Sequence, residues 1–298
     1  MPYFRKGAEK KPLRMIGKGP VLLPERMKHR LMRSSDLYQS LIPRFHPGPE
    51  KLGQCRIISH RGEHDNVRVF ENTLQAFEQA TAGGVWGLEF DVTWTRDLHP
   101  VVHHDLDLQR VFGRSDHMHQ MDLAELKARF PLVPTLEEAV RAFGKHRHLM
   151  IEIKAAALID PPRQNAILQS CLQDLQAQTD YHFLSLSPEL FDLMPWVAPR
   201  TWIAVGELNL GMMSRIALER DLQGIAGHYA LASRACLHRH HRRQQKVGTA
   251  YPGSRNCLFR EINRGVDWIF SNRAVRLQSL IHSLLEEAEG MDAGDRGR

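Results

Sequence analysis

A chain of 298 residues, 42% hydrophobic and 25% charged, is long enough to bury a large core, and no apolar run approaches the roughly 18 residues of a membrane-spanning helix. The formal charge of +6 does not mark a nucleic-acid-binding face, because residues 1–50 carry 11 Lys or Arg against 4 Asp or Glu and the rest of the chain is close to neutral. Four widely spaced cysteines (Cys55, Cys171, Cys236, Cys257) without a C-x-x-C pair exclude a disulfide scaffold, and the first 30 residues offer no signal-like apolar stretch, so a reduced, cytoplasmic setting is expected.

Residues 1–50 read as a basic N-terminal extension, with one helical candidate over 24–42 in which Met27, Leu31, Tyr38 and Leu41 share a face. Such an arm either packs on the domain or touches something acidic, including an anionic membrane surface. From Cys55 onward, short apolar strands alternate with helical segments, the pattern of a parallel α/β fold. Strands are expected over 56–59, 86–93, 100–103, 148–154, 182–185, 201–205, 224–227, 246–250 and 268–271. Between them lie helices over 72–82, 162–176, 188–193, 210–220, 231–242 and 254–264. Two more helix starts are marked as capping boxes, Asp122 with Glu125 and Thr135 with Glu138. An amphipathic stretch over 274–289 closes a domain spanning 51–280, and 281–298 are expected as helix end and disordered tail.

Nine strands are one too many for an eight-stranded barrel. The interval from Asp91 to His104 has no room for the crossover of a dozen residues that parallel neighbours require. Residues 86–105 are therefore expected to form a β-hairpin. A two-residue turn at Asp97-Leu98 would set Asp91 opposite His104 and turn His103 to the packing side, next to Val92. A one-residue slip would exchange the two histidines.

Along "GLEFDV" the apolar Leu88, Phe90 and Val92 alternate with Glu89 and Asp91, and along "LMIEIK" Leu149, Ile151 and Ile153 oppose Glu152 and Lys154. An acidic strand face towards a barrel axis is costly unless a cation lies there. Three carboxylates without a Cys or His ligand describe a hard, oxygen-ligated ion, Mg2+ or Ca2+, and disfavour zinc. The first strand ends in "IISHRG", which brings His60 and Arg61 to the mouth where barrel sites are built, and Glu71 of "ENTLQAF" is poised at the same mouth. His228 follows a strand and so lies on that side too. The basic run over 237–246 reads as the solvated end of a helix, and His117, His119, His146 and His148 as surface residues.

The blocks "SHRG", "ENTLQAFEQA", "GLEFDVTWTRD", "PVVHHDLDLQR", "VPTLEEAV", "MIEIK" and "GVDWIFSNR" resemble, in order and from about Cys55 to Arg273, the pattern of the glycerophosphodiester phosphodiesterase family. The resemblance implies a distorted TIM-type (β/α)8 barrel. It also implies His60 and His104 as acid/base residues, Arg61 and Lys154 on phosphate, Glu89, Asp91 and Glu152 on a divalent ion, and Glu71 lining the site. The short segment 106–134 leaves no space for the large cap of some relatives. Phe70 stands where the family usually has proline, Leu98 where it has glycine and Asn272 where aspartate is common. "GTAYPGSRN" lacks the family's tryptophan, so that Tyr251 is expected to pack against substrate. The activity implied is metal-dependent hydrolysis of glycerophosphodiesters to glycerol 3-phosphate and an alcohol. The alternatives are a lysophospholipase D-type activity at a membrane and a non-catalytic phosphate-binding barrel.

Overall fold

A computed structural model describes residues 34–295; of the helical candidate over 24–42, residues 34–41 are helical and the remainder of its beginning lies outside the described residues. In chain order the strands are β1 (Ile57–His60), β2 (Gly87–Trp94), β3 (Pro100–Val102), β4 (Asp107–Leu108), β5 (Arg114–His117), β6 (His148–Ile153), β7 (Tyr181–Ser185), β8 (Trp202–Gly206), β9 (Gly224–His228), β10 (Lys246–Ala250) and β11 (Trp268–Ser271). Eight of these pair in parallel in the order β1-β11-β10-β9-β8-β7-β6-β2, and β2 returns to β1 to close the ring. Helices follow the strands around the outside, giving the TIM-type (β/α)8 barrel.

The alternation read from the sequence sorts the side chains into two layers. Ile58, Met150, Leu184, Ile203, Trp268 and Phe270 fill the interior, whereas Leu88, Phe90, Leu149, Ile151 and Ile153 pack outward against helices. One glycine is forced by this closure: a Cβ on Gly224 would lie 1.8 Å from the Lys246 carbonyl oxygen, where β9 and β10 approach.

The hairpin forms, with β3 hydrogen-bonded to β2 outside the ring and beyond the point where β1 ends. Its register differs from the one a two-residue turn would give. Val92 pairs with Val102 and Trp94 with Pro100, so Asp91 is met by His103, whose N–H donates to the Asp91 carbonyl at 3.0 Å. The turn holds three residues, Arg96 to Leu98, closed by the Thr95 N–H on the His99 carbonyl. Leu98 takes the left-handed conformation at φ 64°, the place three-residue hairpin loops ordinarily give to glycine, and its buried side chain joins the core.

Residues 106–134 form a small annex, β4 against β5 and a helix over Leu123–Arg129, around Val101, Leu108, Met118 and Leu126. The capping box at Thr135 is complete. At Asp122 it is not, because both carboxylate oxygens go to Arg96, at 2.9 and 2.7 Å. His148 is not on the surface: it is buried, stacks on Trp86 and meets His182 ring nitrogen to ring nitrogen at 2.8 Å. The last helix, Ala274–Asp295, runs past the expected end at 289.

Candidate active site

The mouth is assembled at the ends of β1, β2 and β6. β1 delivers His60, and the chain then bends through Arg61 at φ 60° and Gly62 at φ 80°. A Cβ on Gly62 would lie 2.6 Å from that of Ala76, so the bend needs a glycine there. The Arg61 N–H is held by the Glu89 carbonyl at 2.9 Å, and its guanidinium is ion-paired with Glu71 at 2.9 Å and Asp91 at 3.1 Å.

Because β2 and β6 pair with Asp91 opposite Glu152, the three carboxylates converge, each offering an oxygen within 4.8 Å of the others. Asp91 Oδ1 is buried and accepts no hydrogen bond, although Lys154 lies at 3.3 Å and His104 Nε2 at 3.9 Å; Oδ2 is held by Asn72 at 3.1 Å. Burial and the neighbouring Asp91 push Glu152 up to about 8, and the same two causes raise Glu89. Burial alone would also raise Asp91, but the charges of Arg61, Lys154 and His104 hold it below the ordinary carboxylate range. An all-oxygen donor set in which Glu89 and Asp91 are buried, Glu152 is half-buried and one carboxylate oxygen is orphaned fits a hard divalent cation.

The two histidines have different partners. His60 Nδ1 meets the Asn272 side-chain oxygen at 2.6 Å, and its Nε2 lies 3.3 Å from the Tyr251 hydroxyl and 3.7 Å from Glu89. Burial and the adjacent Arg61 push its pKa down to about 3. His104 Nδ1 instead meets a carboxylate, Asp105 Oδ1, at 2.5 Å. Tyr251 is half-buried and packs against the His60 ring, with centroids 4.6 Å apart.

His103 is turned away, stacked on Phe112 with Nε2 on the Asp107 carbonyl at 3.0 Å, despite the register that pairs it with Asp91. β3 ends at Val102, so the alternation no longer dictates where residues 103 and 104 point. His228, at the end of β9, stacks on Tyr229 and accepts the Ala230 N–H at 3.3 Å, so its ring is engaged by the residues that follow it.

Sequence reasoning overlooked Arg110. It clamps buried Glu71 with two hydrogen bonds of 2.8 and 2.7 Å and reaches Asp105 at 2.7 Å, linking Glu71 to His104. It also lines, with His104, Asp105, Gln109 and Lys154, a cleft of about 640 Å³. The spacing of six from His104 carries no periodic signal, and Glu71 is 39 residues away.

The profile of the glycerophosphoryl diester phosphodiesterase family matches residues 60–180, the part of the chain that holds all but the last site residues. A glycerophosphodiester phosphodiesterase of Caldanaerobacter subterraneus is 32% identical over 126 residues, 38% of this chain and 51% of that one. Glycerophosphodiester phosphodiesterase 1 of Mus musculus is 34% identical over 103 residues, 30% of each chain. The chain thus spans about half or less of the length of these curated relatives. Among solved structures, a Thermotoga maritima glycerophosphodiester phosphodiesterase superposes with a TM-score of 0.64 at 20% identity, covering 79% of this chain and 100% of that one. An Oleispira antarctica phosphodiesterase in complex with the product sn-glycerol-3-phosphate gives 0.64 at 22% identity, covering 76% and 96%. These two likenesses carry the TIM-type barrel fold, and the profile and the curated relatives make the part of the chain that builds most of the barrel mouth similar to the glycerophosphoryl diester phosphodiesterase family.

Proposed function

We propose that the barrel hydrolyses glycerophosphodiesters, releasing glycerol 3-phosphate and an alcohol, with a divalent cation, Mg2+ or Ca2+, as cofactor. The observation that carries this reading is one mouth that joins three converging carboxylates, two cationic side chains and two histidines with unlike partners. Glu89, Asp91 and Glu152 would hold the ion, which when bound offsets charge on the phosphoryl oxygens. Arg61 and Lys154 supply further positive charge to the same oxygens; one preorganised donor of this kind is commonly worth roughly 3 to 4 kcal/mol.

The partners divide the proton transfers. The Asn272 oxygen can only accept, so His60 carries its proton on Nδ1, and its unprotonated Nε2, beside the Tyr251 hydroxyl, is the atom we assign to take one from the attacking oxygen. His104 is held at Nδ1 by the Asp105 carboxylate, which leaves Nε2 on the Asp91 side of the mouth, and we assign to it the proton given to the departing alkoxide. Tyr251 fixes the His60 ring from the other side. The cleft beside His104 is lined by Asp105, Leu106, Asp107, Gln109, Arg110 and Lys154, and the alcohol we assign to it is a small one such as that of glycerophosphocholine. His228 is retained only as a residue at the rim. A cytoplasmic setting accords with the free cysteines, and no helix among the described residues is long and apolar enough to cross a membrane.

The test is release of glycerol 3-phosphate from a panel of glycerophosphodiesters, with and without chelator. Turnover abolished by chelator and restored by Mg2+ or Ca2+ is expected. No turnover of any diester would shift the reading to a phosphate-binding barrel.

A further inference from the structure

Four arginines line a second groove of about 580 Å³ that shares no lining residue with the cleft beside His104: Arg44 in the segment before β1, Arg234 at the start of the helix Arg234–His241, and Arg260 and Arg264 on the helix Arg255–Arg264. Buried Glu261 pairs with Arg260 and Arg264, and Asp36 accepts the Tyr229 hydroxyl behind them. Arg234 is exposed and has no ion pair among the described residues, and the Arg44 Nε is buried without an acceptor. Arg264 is pushed down by burial and by the like charges of Arg260 and Arg234. Ser233, also on the groove, caps the helix Arg234–His241, whose N-terminal end adds partial positive charge. The groove therefore holds more cation than its own carboxylates offset, and its chemistry calls for an anion with several acceptor oxygens.

The neighbouring surface is apolar. Leu37, Leu41 and Phe45 are 65%, 72% and 93% exposed; Leu37 and Leu41 share a face of the helix over 34–41, and Phe45, beyond the end of that helix, lines the groove itself. Exposed apolar side chains rimming a basic groove are the pattern of an interfacial contact with anionic lipid. Two other occupants are disfavoured by charge. Residues 1–33 hold ten Lys or Arg against two Asp or Glu, so they cannot neutralise the arginines, and a second copy meeting this face would bring the same arginines against them.

We propose that this face docks on an anionic phospholipid bilayer, with lipid phosphate groups in the arginine groove and Phe45 and Leu41 among the upper acyl chains. The inference does not depend on the hydrolytic reading of the mouth.

The experiment is flotation of the full chain with vesicles of equal parts phosphatidylcholine and phosphatidate, and with phosphatidylcholine alone. Flotation on the first and not the second is expected. Arg44→Ala and Arg234→Ala should each weaken partitioning about fivefold, and Phe45→Ser about tenfold, with hydrolysis of a soluble diester and thermal midpoint unchanged. Equal flotation on both vesicles overturns the proposal. Unaltered flotation of the arginine variants also overturns it, since attraction would then come from elsewhere in the basic segment. If inorganic phosphate displaces the protein while Phe45→Ser floats like wild type, the groove is a free-phosphate site and membrane docking falls.

Discussion

Glu152→Gln separates a cation site from a set of structural ion pairs. Three ionised carboxylates within 4.8 Å would repel one another by about 3 kcal/mol per pair at an effective dielectric of about 20. With Glu152 pushed up to about 8, however, its carboxyl is largely protonated at pH 7, and most of that repulsion is already relieved. The metal-free variant should therefore lie within about 1 kcal/mol of the metal-free wild type, because glutamine keeps the shape and removes a charge that is mostly absent. With metal the two should part. A ligand at 100 times its dissociation constant stabilises by about 2.7 kcal/mol, which for a domain of this size is a rise of roughly 5–10 °C in Tm. Wild type should show that rise when Mg2+ or Ca2+ replaces chelator, and Glu152→Gln should lose most of it. The assay is thermal unfolding of both proteins in chelator and across a metal titration. Equal metal responses, or none in wild type, would refute the cation site; a large metal-free loss in the variant would mean that Glu152 is a structural ion-pair partner.

His104→Ala should lower kcat by about 10²- to 10⁴-fold, whereas His103→Ala, which loses a buried ring and its bond to the Asp107 carbonyl, should cost about 2 kcal/mol of stability and leave turnover within a few fold; matched kinetics and urea melts decide, and equal kinetic losses would contradict the assignment. Arg110→Ala leaves Glu71 with Arg61 and Asn66, so with Arg110 itself 44% exposed a stability loss of about 2 kcal/mol and a fall of at least tenfold in kcat are expected. Arg110→Lys should not restore the two-pronged contact, and a fully active lysine variant would show that charge alone suffices. Stability should also fall with acid. His148 is pushed down to about 4 and His182 to about 3, both chiefly by burial. Below pH 6.5 the unfolded chain takes up protons that these buried rings refuse, so stability declines from pH 6.5 towards pH 4, by about 3 kcal/mol through His148. Urea midpoints between pH 7 and 4.5 measure this, and His182→Leu should flatten the slope; an unchanged slope would assign the acid loss to other groups.

The barrel was legible because its information is local. Alternation along "GLEFDV" and "LMIEIK" both marks the strands and sends Glu89, Asp91 and Glu152 to one face, and the missing crossover between Asp91 and His104 exposed the hairpin. What stayed hidden depends on conformation or on distance along the chain. The turn gained a residue because Leu98 accepts a left-handed backbone that a side-chain count does not foresee, and the register moved with it. Polarity misled at His148, where Trp86 and His182 supply a buried niche for an imidazole. Arg110 and Asn272 become part of the site only through partners such as Glu71 and His60, which lie 39 and 212 residues away. Asp122 resembled a helix cap until Arg96, 26 residues earlier, took its oxygens.

The place where β3 stops has a wider consequence. Val102 ends the strand, and beyond it His104 is suspended from Lys154, on its carbonyl at 2.6 Å, and from the Asp105–Arg110–Glu71 chain. Its position is thus addressed by charge and not by counting along a strand. Lengthening or shortening the turn by one residue should re-face the edge of the sheet and leave the imidazole where it is. Lineages carrying this arrangement are free to vary the turn, while the residues that anchor His104 must change together or not at all.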